Sequence, residues 1–576
     1  MRQKCLTEEL NRLKESSREA VENINQFSEF KQYMHIEREV QKDLEQILSD
    51  AKNSVESRLI LVCGSVGDGK SHLLSYFRNQ DEELRDEFIF HNDATESFSP
   101  NKTSIEQLNE LLDPFCDEKL GHNQSKIILA INLGTLNNFI DSEYGDRFTM
   151  LKEFIITNKI LELEINNTKV SKDSHFQYIN FTDYHIFTLE NAQVKSEYIK
   201  SIINKVVSDD SDNVFARAYR ECCEHCEYAF KCPIKENFNL LRNEKIQNSL
   251  VELLVKATIK YKVIISTRAL LNFVYELIVP TTYLDVNLGE FKDRINRMQL
   301  NQYISALLPN VIFEHKELSA IFEAMHQLDP VNLRNSSIDD FIIQFNNEDD
   351  YLSYLDEYVE YENTYILENA GNAEKSSILK FVIRACYLAI TKEQLLLEDK
   401  IYDDYIRNLY YFNKGDKLKL KEMYNKVKNG ILSWNGDAGK DYMNISVGQK
   451  QTQYSIKEKI ELRPDTSNLK QDTATEIKKF MTSITLGFKN ENIDKGYFID
   501  IDYNLYTLLD DINHGYYPNK RDKNQFINFV DFLSKVECLG SKSQKVYITE
   551  KNKKKNKKYR LEFDDDFGIY TFTEIE

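Results

Sequence analysis

The sequence predicts an α/β domain, a helical region and a C-terminal α+β domain, in that order. Between residues 58 and 266, continuous apolar runs alternate with amphipathic helical patterns, as in a doubly wound parallel sheet with helices on both faces. Residues 267–430 carry Leu and Tyr at helical spacing. From Gly430 onward, short segments of alternating polar and apolar residues indicate the strands of an α+β domain.

The chain divides into four predicted parts. These are an N-terminal helical segment at 1–57, an α/β core at 58–266 with a helical insertion at about 190–255, a helical lid and helical region at 267–430, and the α+β domain at 431–576. This division agrees with a chain of 576 residues at about 150 residues per domain. With only 18 Gly and 8 Pro, the composition excludes collagen-like and linker architectures and favours long helices.

Each predicted element follows from a local pattern. Apolar residues three to four positions apart predict helices over the first 50 residues. Apolar runs predict strands of the core at 58–63, 86–93, 126–132, 176–181 and 261–266, with helices at 70–79, 104–115 and 147–163. In the C-terminal domain, strands are predicted at 441–446, 454–462, 483–488, 497–503, 545–550, 559–563 and 568–575, around a helix at 522–536.

Charge and cysteine content bound the class of protein. The formal net charge is −19, so any contact with DNA must be local or shared with partners, because a protein that grips DNA over its whole surface is usually basic. Nine cysteines, four of them between positions 222 and 232, favour a reduced cytosolic protein over a disulfide framework. The N-terminus has no apolar signal core and no run of 18 apolar residues occurs, which predicts a cytoplasmic protein without a membrane span.

The strongest motif directly follows the first predicted strand of the core. Residues 64–71 read GSVGDGKS and match GxxxxGK[ST] between a buried strand and an amphipathic helix. Glycines let the backbone N–H groups turn toward phosphate oxygens, and the helix N-terminus adds partial positive charge. Lys70 is expected to reach the β- and γ-phosphates, and the Ser71 hydroxyl to ligate Mg²⁺. The residues assigned to the cofactor are Gly64, Ser65, Val66, Gly67, Asp68, Gly69, Lys70, Ser71 and His72.

This context predicts that the core is a P-loop NTPase domain of the AAA-like type that binds ATP with Mg²⁺. The acidic residue expected after the strand at 126–132 is replaced by Asn132, and an amide orients water or phosphate but cannot act as a base. Asp93 and Glu96 follow the strand at 86–93 and are candidates for the missing carboxylate. In the alternative, they cap the next helix or face solvent, and nucleotide acts as a switch that is hydrolysed slowly.

Two further segments are candidates for the same site. Arg268 follows Ser266 and Thr267 at the start of a predicted helix, where a Ser/Thr cap turns an arginine of the first turn back toward the sheet edge. Arg268 is therefore a candidate phosphate sensor, with a surface ion pair as the alternative. The helical segment 33–39 either covers the adenine or packs as ordinary core.

The cysteine segment is a candidate metal site in the helical insertion. Cys223 and Cys226 have the CxxC spacing that lets two thiolates bind one ion, and Cys232 follows six residues later. The fourth ligand would be Cys222, His225 or the remote Cys116. Zinc is the first expectation and an iron–sulfur cluster the second, whereas the alternative is four reduced cysteines packed on helix faces.

A run of lysines marks the C-terminal domain. Residues 551–558 carry six lysines between two predicted strands, which predicts a basic hairpin able to contact DNA phosphates without sequence preference. The alternative is a solvated loop, balanced by the acidic run Asp564–Asp566.

Several of these segments together resemble one family. The loop GSVGDGKSHLL, the strand end HNDATE, the segment AINLG and the cysteine segment CCEHCEYAFKCPIKEN are similar to the DptF/DndF family, the P-loop ATPases of bacterial DNA phosphorothioation-dependent restriction systems. The resemblance covers roughly residues 30–280 and extends loosely to WNG at 434–436 and GYYPN at 515–519. It implies a component that works with two others, called G and H, against DNA lacking the backbone modification; H is a larger, helicase-like ATPase.

The resemblance makes an ATP-binding and ATP-hydrolysing component of a DNA-restriction complex the leading expectation. The alternatives are an ATP-dependent regulatory switch that binds protein partners, and a helicase-loader-like AAA motor. The lysine run favours the first, whereas the net negative charge and Asn132 favour the switch. The sequence contains no paired-carboxylate nuclease motif, so we expect DNA cleavage to reside in a partner, and intrinsic ATPase activity to be weak.

Overall fold

The structure is a computed structural model of the 576-residue chain. It describes all residues except 1–4, 23–27, 66, 93–102, 163–169, 284–287, 334–335, 351–363, 390–398, 446–452, 491–495, 541–544, 551–556, 565 and 576. The chain forms two compact units: unit 1 comprises Met1–Thr188 and Lys195–Glu398, and unit 2 comprises Leu189–Val194 and Asp399–Glu576.

Unit 1 contains a four-stranded parallel sheet. Its strands are β1 (Arg58–Cys63), β2 (Ile89–His91), β3 (Lys126–Ile131) and β4 (Phe176–Asn180). They lie in the order β2-β3-β1-β4, and every neighbouring pair is parallel. All six residues of β1 are buried, as expected of an apolar strand with helices on both faces. The mixed α/β architecture predicted for this part of the chain is therefore confirmed, and four of its five predicted strands form.

Helices cover both faces of this sheet. They are α3 (Glu39–Lys52), α4 (Lys70–Gln80), α5 (Glu82–Glu87), α6 (Ser104–Leu112), α7 (Leu133–Ile140) and α8 (Thr149–Thr157). Ile60 and Val62 pack against α3, α4 and α5 on one face. Leu59 and Leu61 pack against α6, α7 and α8 on the other. The side chains of β1 thus alternate between two cores, as the period of two along a strand requires.

The fifth predicted strand does not form. Tyr261 ends the long helix Glu244–Tyr261, and residues 262–266 connect that helix to the next one without strand pairing. Lys262 adopts a left-handed conformation with φ 57°, and the Val263 N–H donates to the Ala257 carbonyl at 3.3 Å. Val263 and Ile265 are buried in a helical core, so their apolar character reflects packing between helices and not a place in the sheet.

The rest of unit 1 is helical. Its remaining helices are α1 (Leu6–Glu22), α2 (Glu29–Tyr33), α9 (Glu197–Val207), α10 (Val214–Ala218), α11 (Pro233–Arg242), α12 (Glu244–Tyr261), α13 (Thr267–Ile278), α14 (Leu288–Arg297), α15 (Leu300–Ser305), α16 (Leu308–Glu314), α17 (Ala320–Gln327), α18 (Ser336–Asn347), α19 (Thr364–Asn369) and α20 (Lys375–Ala389). Many of them share one large apolar core. No helix in the described parts of the chain is long and apolar enough to cross a membrane.

Unit 2 combines antiparallel sheets with helices. Its helices are α21 (Lys400–Asn413), α22 (Lys421–Ser433), α23 (Tyr503–Asn513), α24 (Lys520–Gln525) and α25 (Ile527–Gly540). The remaining strands of the chain are β5 (Thr188–Glu190), β6 (Gln193–Lys195), β7 (Tyr442–Ile445), β8 (Tyr454–Lys459), β9 (Arg463–Asp465), β10 (Glu476–Ile477), β11 (Ile484–Lys489), β12 (Tyr497–Ile501), β13 (Lys545–Glu550), β14 (Lys558–Asp564) and β15 (Ile569–Glu574). They form sheets in the orders β10-β5-β6, β12-β11-β9 and β15-β14-β13-β8-β7.

Candidate functional site

The glycine loop, residues 64–71, connects β1 to α4 at the carboxyl edge of the parallel sheet. Gly64, Gly67 and Gly69 have φ values of 153°, 88° and 98°, a region that L side chains rarely adopt. A Cβ at Gly64 would lie 2.9 Å from the Phe181 Cβ, and one at Gly67 would lie 2.9 Å from the Ser266 Oγ. Backbone conformation therefore requires all three glycines, and close approach also requires Gly64 and Gly67. Val66 lies outside the described residues.

Two charged side chains of the loop bind the loop itself. The Lys70 Nζ donates to the carbonyl oxygens of Gly64 and Ser65, at 2.9 and 2.6 Å. The Asp68 Oδ2 accepts the Ser65 N–H at 2.6 Å. Burial raises the pKa of the Asp68 carboxyl above its usual range, although the nearby Lys70 and Arg38 act in the opposite direction. A carboxylate thus lies against a backbone N–H of the loop, which shows that the loop can accommodate an anionic oxygen.

Ser71 and His72 lie in the first turn of α4, directly after Gly69 and Lys70. Backbone N–H groups at the start of a helix have no partner within it, so this end of α4 favours a negative charge. The Ser71 hydroxyl at this end is an oxygen ligand suited to Mg²⁺. Together with the loop N–H groups and the Lys70 ammonium, this donor set fits a phosphate with its magnesium ion.

A cavity of about 220 Å³ opens beside this helix end. Among the predicted site residues, Gly67, Gly69, Lys70, Ser71, His72, Asn132 and Arg268 line it. These residues come from β1–α4, from the end of β3 and from the start of α13, so the fold brings three separate parts of the sequence to one place. Convergent polar groups in one concave site are typical of a ligand-binding pocket.

The predicted acidic candidates cannot be placed. Asp93 and Glu96 lie outside the described residues, so their assignment remains a prediction. Asn92, the residue before Asp93, lines the cavity. The Thr103 hydroxyl and the Glu106 carboxylate form a capping box at the start of α6, with distances of 3.2 and 2.7 Å. The helix that Asp93 and Glu96 would cap in the alternative interpretation therefore has its own cap.

Asn132 has a structural partner as well as a place in the cavity. Its Oδ1 accepts the Thr135 N–H at 2.7 Å and caps α7. The side-chain oxygen is thus committed to the helix, and the amide NH₂ is the part that could donate to a ligand oxygen. Whether Asn132 orients a ligand remains a prediction.

Arg268 lies in the first turn of α13. The Ser266 hydroxyl accepts the Ala269 N–H at 3.2 Å, so the predicted serine cap is confirmed. Arg268 lines the cavity, and its guanidinium forms no ion pair with any of the residues that the structure describes. The alternative of a surface ion pair therefore has no support in the described part of the chain.

Arg38 is a site residue that the sequence did not reveal. Its Nη1 donates to the Asp68 carbonyl at 3.1 Å, and its guanidinium lies 4.8 Å from the centre of the Tyr198 ring. Arg38, together with Phe30, Met34 and Ile36, lines the cavity. α2 ends at Tyr33 and α3 begins at Glu39, so the helix predicted across residues 33–39 does not form. The segment lines the cavity beside the glycine loop, and whether it covers an adenine remains a prediction. In the sequence, the only signal for a contact between Arg38 and the glycine loop is that Arg38 lies within the segment 33–39.

Two histidines close one side of the cavity. The His35 Nδ1 and the His72 Nε2 lie 3.0 Å apart, and the His35 ring stacks on Tyr76 at a centroid distance of 4.1 Å. Burial, together with the nearby His35 and Lys31, lowers the pKa of His72 to about 4. Burial also lowers the pKa of His35. Both rings are therefore neutral at pH 7, so that one can donate to the other.

The cysteine segment has a different arrangement from the predicted one. Cys222 and Cys223 end a π-helical turn at Tyr219–Cys223, and Cys226 and Cys232 follow. Among the residues that the structure describes, no group of three or more His, Cys, Asp or Glu side chains could hold a metal ion. Zinc and iron–sulfur binding by Cys223, Cys226 and Cys232 therefore remain predictions without geometric support.

Two cysteines outside this segment, Cys5 and Cys116, bear on its interpretation. Cys5, at the start of α1, lies near Cys222, whose side chain lowers the pKa of Cys5, while the pKa of Cys222 is raised. The sequence did not indicate this neighbour. Cys116, one of the candidate fourth ligands, packs with Phe115 in the core beneath the parallel sheet, a core separate from the one that holds Cys223. The structure therefore does not support Cys116 among the three candidates for the fourth ligand.

The predicted basic hairpin is confirmed as a hairpin. β13 and β14 pair antiparallel, with Thr549 opposite Lys558. Residues 551–556 lie outside the described residues, whereas Lys557 forms an ion pair with Glu574 at 3.1 Å. Whether the lysine run contacts DNA therefore remains a prediction.

No protein-family model matches the chain. A search of the curated proteins found no match either. The glycine loop and the polar side chains around its cavity therefore carry the functional proposal, together with the resemblance of the sequence segments that contain them.

Proposed function

We propose that the glycine loop binds ATP with Mg²⁺ and that the unit 1 α/β core is a P-loop NTPase domain. The observation that carries this proposal is the convergence of Lys70, Ser71, Asn132 and Arg268 on one cavity at the carboxyl edge of a parallel sheet. Open α/β sheets bind ligands at this edge. The three glycines with positive φ support the same conclusion, because they let the backbone follow a phosphate chain closely.

Each residue has a role in this proposal. The Lys70 ammonium leaves the carbonyls of Gly64 and Ser65 and binds the β- and γ-phosphates. The Ser71 hydroxyl holds Mg²⁺, which neutralises phosphate charge when bound. Arg268 lines the cavity and stabilises the terminal phosphate. The Asn132 amide orients a phosphate oxygen or a water molecule.

The proposed ATPase activity is weak in the isolated chain. Asn132 cannot remove a proton from water, and its oxygen already caps α7. Asp93 and Glu96 are the candidates for a general base or a metal ligand, since Asn92, the residue before Asp93, lines the cavity. We propose that partners or DNA raise the rate by bringing one of these carboxylates into position.

We further propose that the chain is part of a phosphorothioation-dependent DNA-restriction complex that acts on DNA lacking the backbone modification. The resemblance of the loop, strand-end and cysteine segments to the DptF/DndF family supports this role, with the G component and the helicase-like H component as partners. The net charge of −19 favours a second candidate, an ATP-dependent switch that binds only protein partners.

The first experiment compares Lys70→Ala with a matched control, Lys292→Ala, whose side chain is exposed on α14. ATP binding by calorimetry should be lost or weakened by about 10- to 150-fold in Lys70→Ala, because the loop loses its cation and a charge-assisted contact contributes about 1.5–3 kcal/mol. The control should bind as the wild type does. Equal affinity in both variants would place the nucleotide site elsewhere.

The same variants separate the two cellular roles. In cells that carry the other restriction components, Lys70→Ala should abolish restriction of DNA that lacks the modification, while Lys292→Ala retains it. A further strain lacks the whole chain. If ATP binding depends on Lys70 but that strain still restricts unmodified DNA, the regulatory switch is the better proposal.

A further inference from the structure

β15 forms one edge of the five-stranded sheet in unit 2. It pairs with β14 on its inner side, and no strand among the described residues pairs with it on the outer side. The Ile575 N–H donates to the Lys558 carbonyl at 2.7 Å, which shows which residues of β15 direct their backbone N–H and C=O groups toward β14. Because antiparallel ladders alternate, Thr571 and Thr573 direct their backbone groups toward β14, whereas Tyr570, Phe572 and Glu574 direct theirs outward.

The side chains of this edge are largely apolar and exposed. Tyr570 is 71% exposed and Phe572 is 58% exposed, and every residue of β15 is exposed. Natural edge strands are usually protected by Lys, Pro, a bulge or a covering element. β15 has neither Lys nor Pro, and its pairing with β14 is regular over six residues. An edge of this kind is suited to pairing with another strand.

The sequence of β15 indicates which strand could pair with its outer edge. Residues 569–575 read IYTFTEI, a pattern that is nearly the same in both directions about Phe572. If two copies paired antiparallel about this residue, Phe572 would lie opposite Phe572, Thr571 opposite Thr573, and Ile569 opposite Ile575. Aromatic pairs and Thr–Thr pairs are among the favourable cross-strand combinations.

The backbone phase agrees with the same register. A two-fold axis through Phe572 makes Phe572–Phe572 a hydrogen-bonded pair, which requires its N–H and C=O to point outward, and they do. Tyr570 then pairs with Glu574 of the other copy in the same way, so the interface would gain about six backbone hydrogen bonds from three such pairs. Phe572 is therefore both the centre of the symmetric sequence and a residue whose backbone groups point outward, as the two-fold pairing requires.

We propose that this edge binds a second copy of the chain, by antiparallel pairing of β15 with β15 about a two-fold axis at Phe572. The two sheets then form one continuous sheet. Tyr559, Leu561 and Phe563 of β14 lie on the same face as Phe572 and Tyr570, so an apolar surface continues across the interface. The interface is isologous, since each copy contributes the same strand. This assembly does not depend on nucleotide binding.

The test measures mass in solution by light scattering over about a hundredfold range of concentration, since a dimer population depends on concentration. The wild type should form a dimer. Phe572→Lys and Phe572→Glu should each be monomeric, because the axis places like charges opposite each other. Leu418→Lys is the control, since it adds the same charge at an apolar residue of unit 2 that is 88% exposed, and it should remain dimeric.

A mixture of the Lys and Glu variants tests the register. Equal amounts of Phe572→Lys and Phe572→Glu should restore the dimer, because opposite charges then face each other across the axis. A wild type that stays monomeric over the whole range would overturn the proposal, and so would a dimer that Phe572→Lys does not affect. Failure of the mixture to associate would overturn the two-fold register. Circular dichroism of each variant confirms that the sheet is intact.

Discussion

At the scale of single residues, Asp68 is a loop side chain that binds the backbone of the glycine loop itself. Its carboxylate accepts the Ser65 N–H and lies where a phosphate oxygen would be received. Any anionic ligand must displace it and is also repelled by its charge. If the loop binds nucleotide as proposed, Asp68 would compete with the phosphate, and its removal should strengthen binding.

The first residue-scale prediction follows from this competition. Asp68→Ala should bind ATP about tenfold more tightly than the wild type, which corresponds to about 1.4 kcal/mol of relieved competition. Asp146→Ala removes an exposed carboxylate elsewhere in unit 1 and should leave the affinity unchanged. Calorimetric titration with ATP·Mg²⁺ checks both, and weaker binding by Asp68→Ala would show that the carboxylate assists the ligand instead.

The second residue-scale prediction concerns pH. The pKa of His72 is lowered from 6.5 to about 4 in the folded chain, chiefly by burial. Between these two values the unfolded chain binds more protons, so the free energy of unfolding falls as the pH falls. Between pH 7 and pH 5 the loss attributable to His72 should be about 2 kcal/mol.

Urea unfolding at the two pH values measures this loss. His72→Gln keeps a polar side chain but has no ring that titrates. Its free energy of unfolding should therefore fall less than that of the wild type between pH 7 and pH 5, by about 2 kcal/mol. His225→Gln, at an exposed position, serves as the control and should behave as the wild type does. An identical pH dependence in wild type and His72→Gln would contradict the burial of a neutral imidazole.

At the scale of elements, the glycine loop is shaped by its neighbours as well as by its own backbone. Gly67 approaches Ser266, the cap of α13, and that helix also carries Arg268 to the cavity. A change at Gly67 therefore disturbs both the loop and the position of α13.

Gly67→Ala should lower the affinity for ATP at least about tenfold, because the new Cβ would lie 2.9 Å from the Ser266 Oγ and φ is 88°. Gly439→Ala is a matched control, since Gly439 has φ 92° but no atom within 4 Å of its Cβ position. Both variants carry the same backbone strain, and only Gly67→Ala should lose affinity. Parallel ATP titrations compare them, and equal affinities would show that loop shape does not limit binding.

At the scale of the whole molecule, the net charge of −19 and the lysine run at 551–558 oppose each other. A negatively charged protein approaches DNA only through a local basic surface or through partners. If the lysine run is that surface, ATP turnover and DNA binding should be coupled through the complete complex.

We expect the isolated chain to hydrolyse ATP well below about 10 s⁻¹, the median rate of enzymes, and to be stimulated by DNA and by its partners in the complex. Replacing the six lysines of 551–558 by Gln should weaken DNA binding by the complex and reduce the salt dependence of that binding, without changing ATP affinity. Gln at the exposed Lys292, Lys417 and Lys421 serves as the control. An unchanged salt dependence would identify the lysines as merely solvated.

The amino-acid pattern by itself indicated the mixed α/β core, the glycine loop and most strands of the C-terminal domain, because each depends on local periodicity and turn chemistry, but it missed the short strands β9 and β10. It was wrong at residues 261–266, since buried residues between helices carry the same apolar pattern as a buried strand. Tertiary structure alone decided that Arg38 covers the loop and that Cys5 meets Cys222, since these neighbours lie far apart along the chain. It also decided that β15 lies at the edge of its sheet, because strand order is set by pairing between segments that local pattern cannot specify.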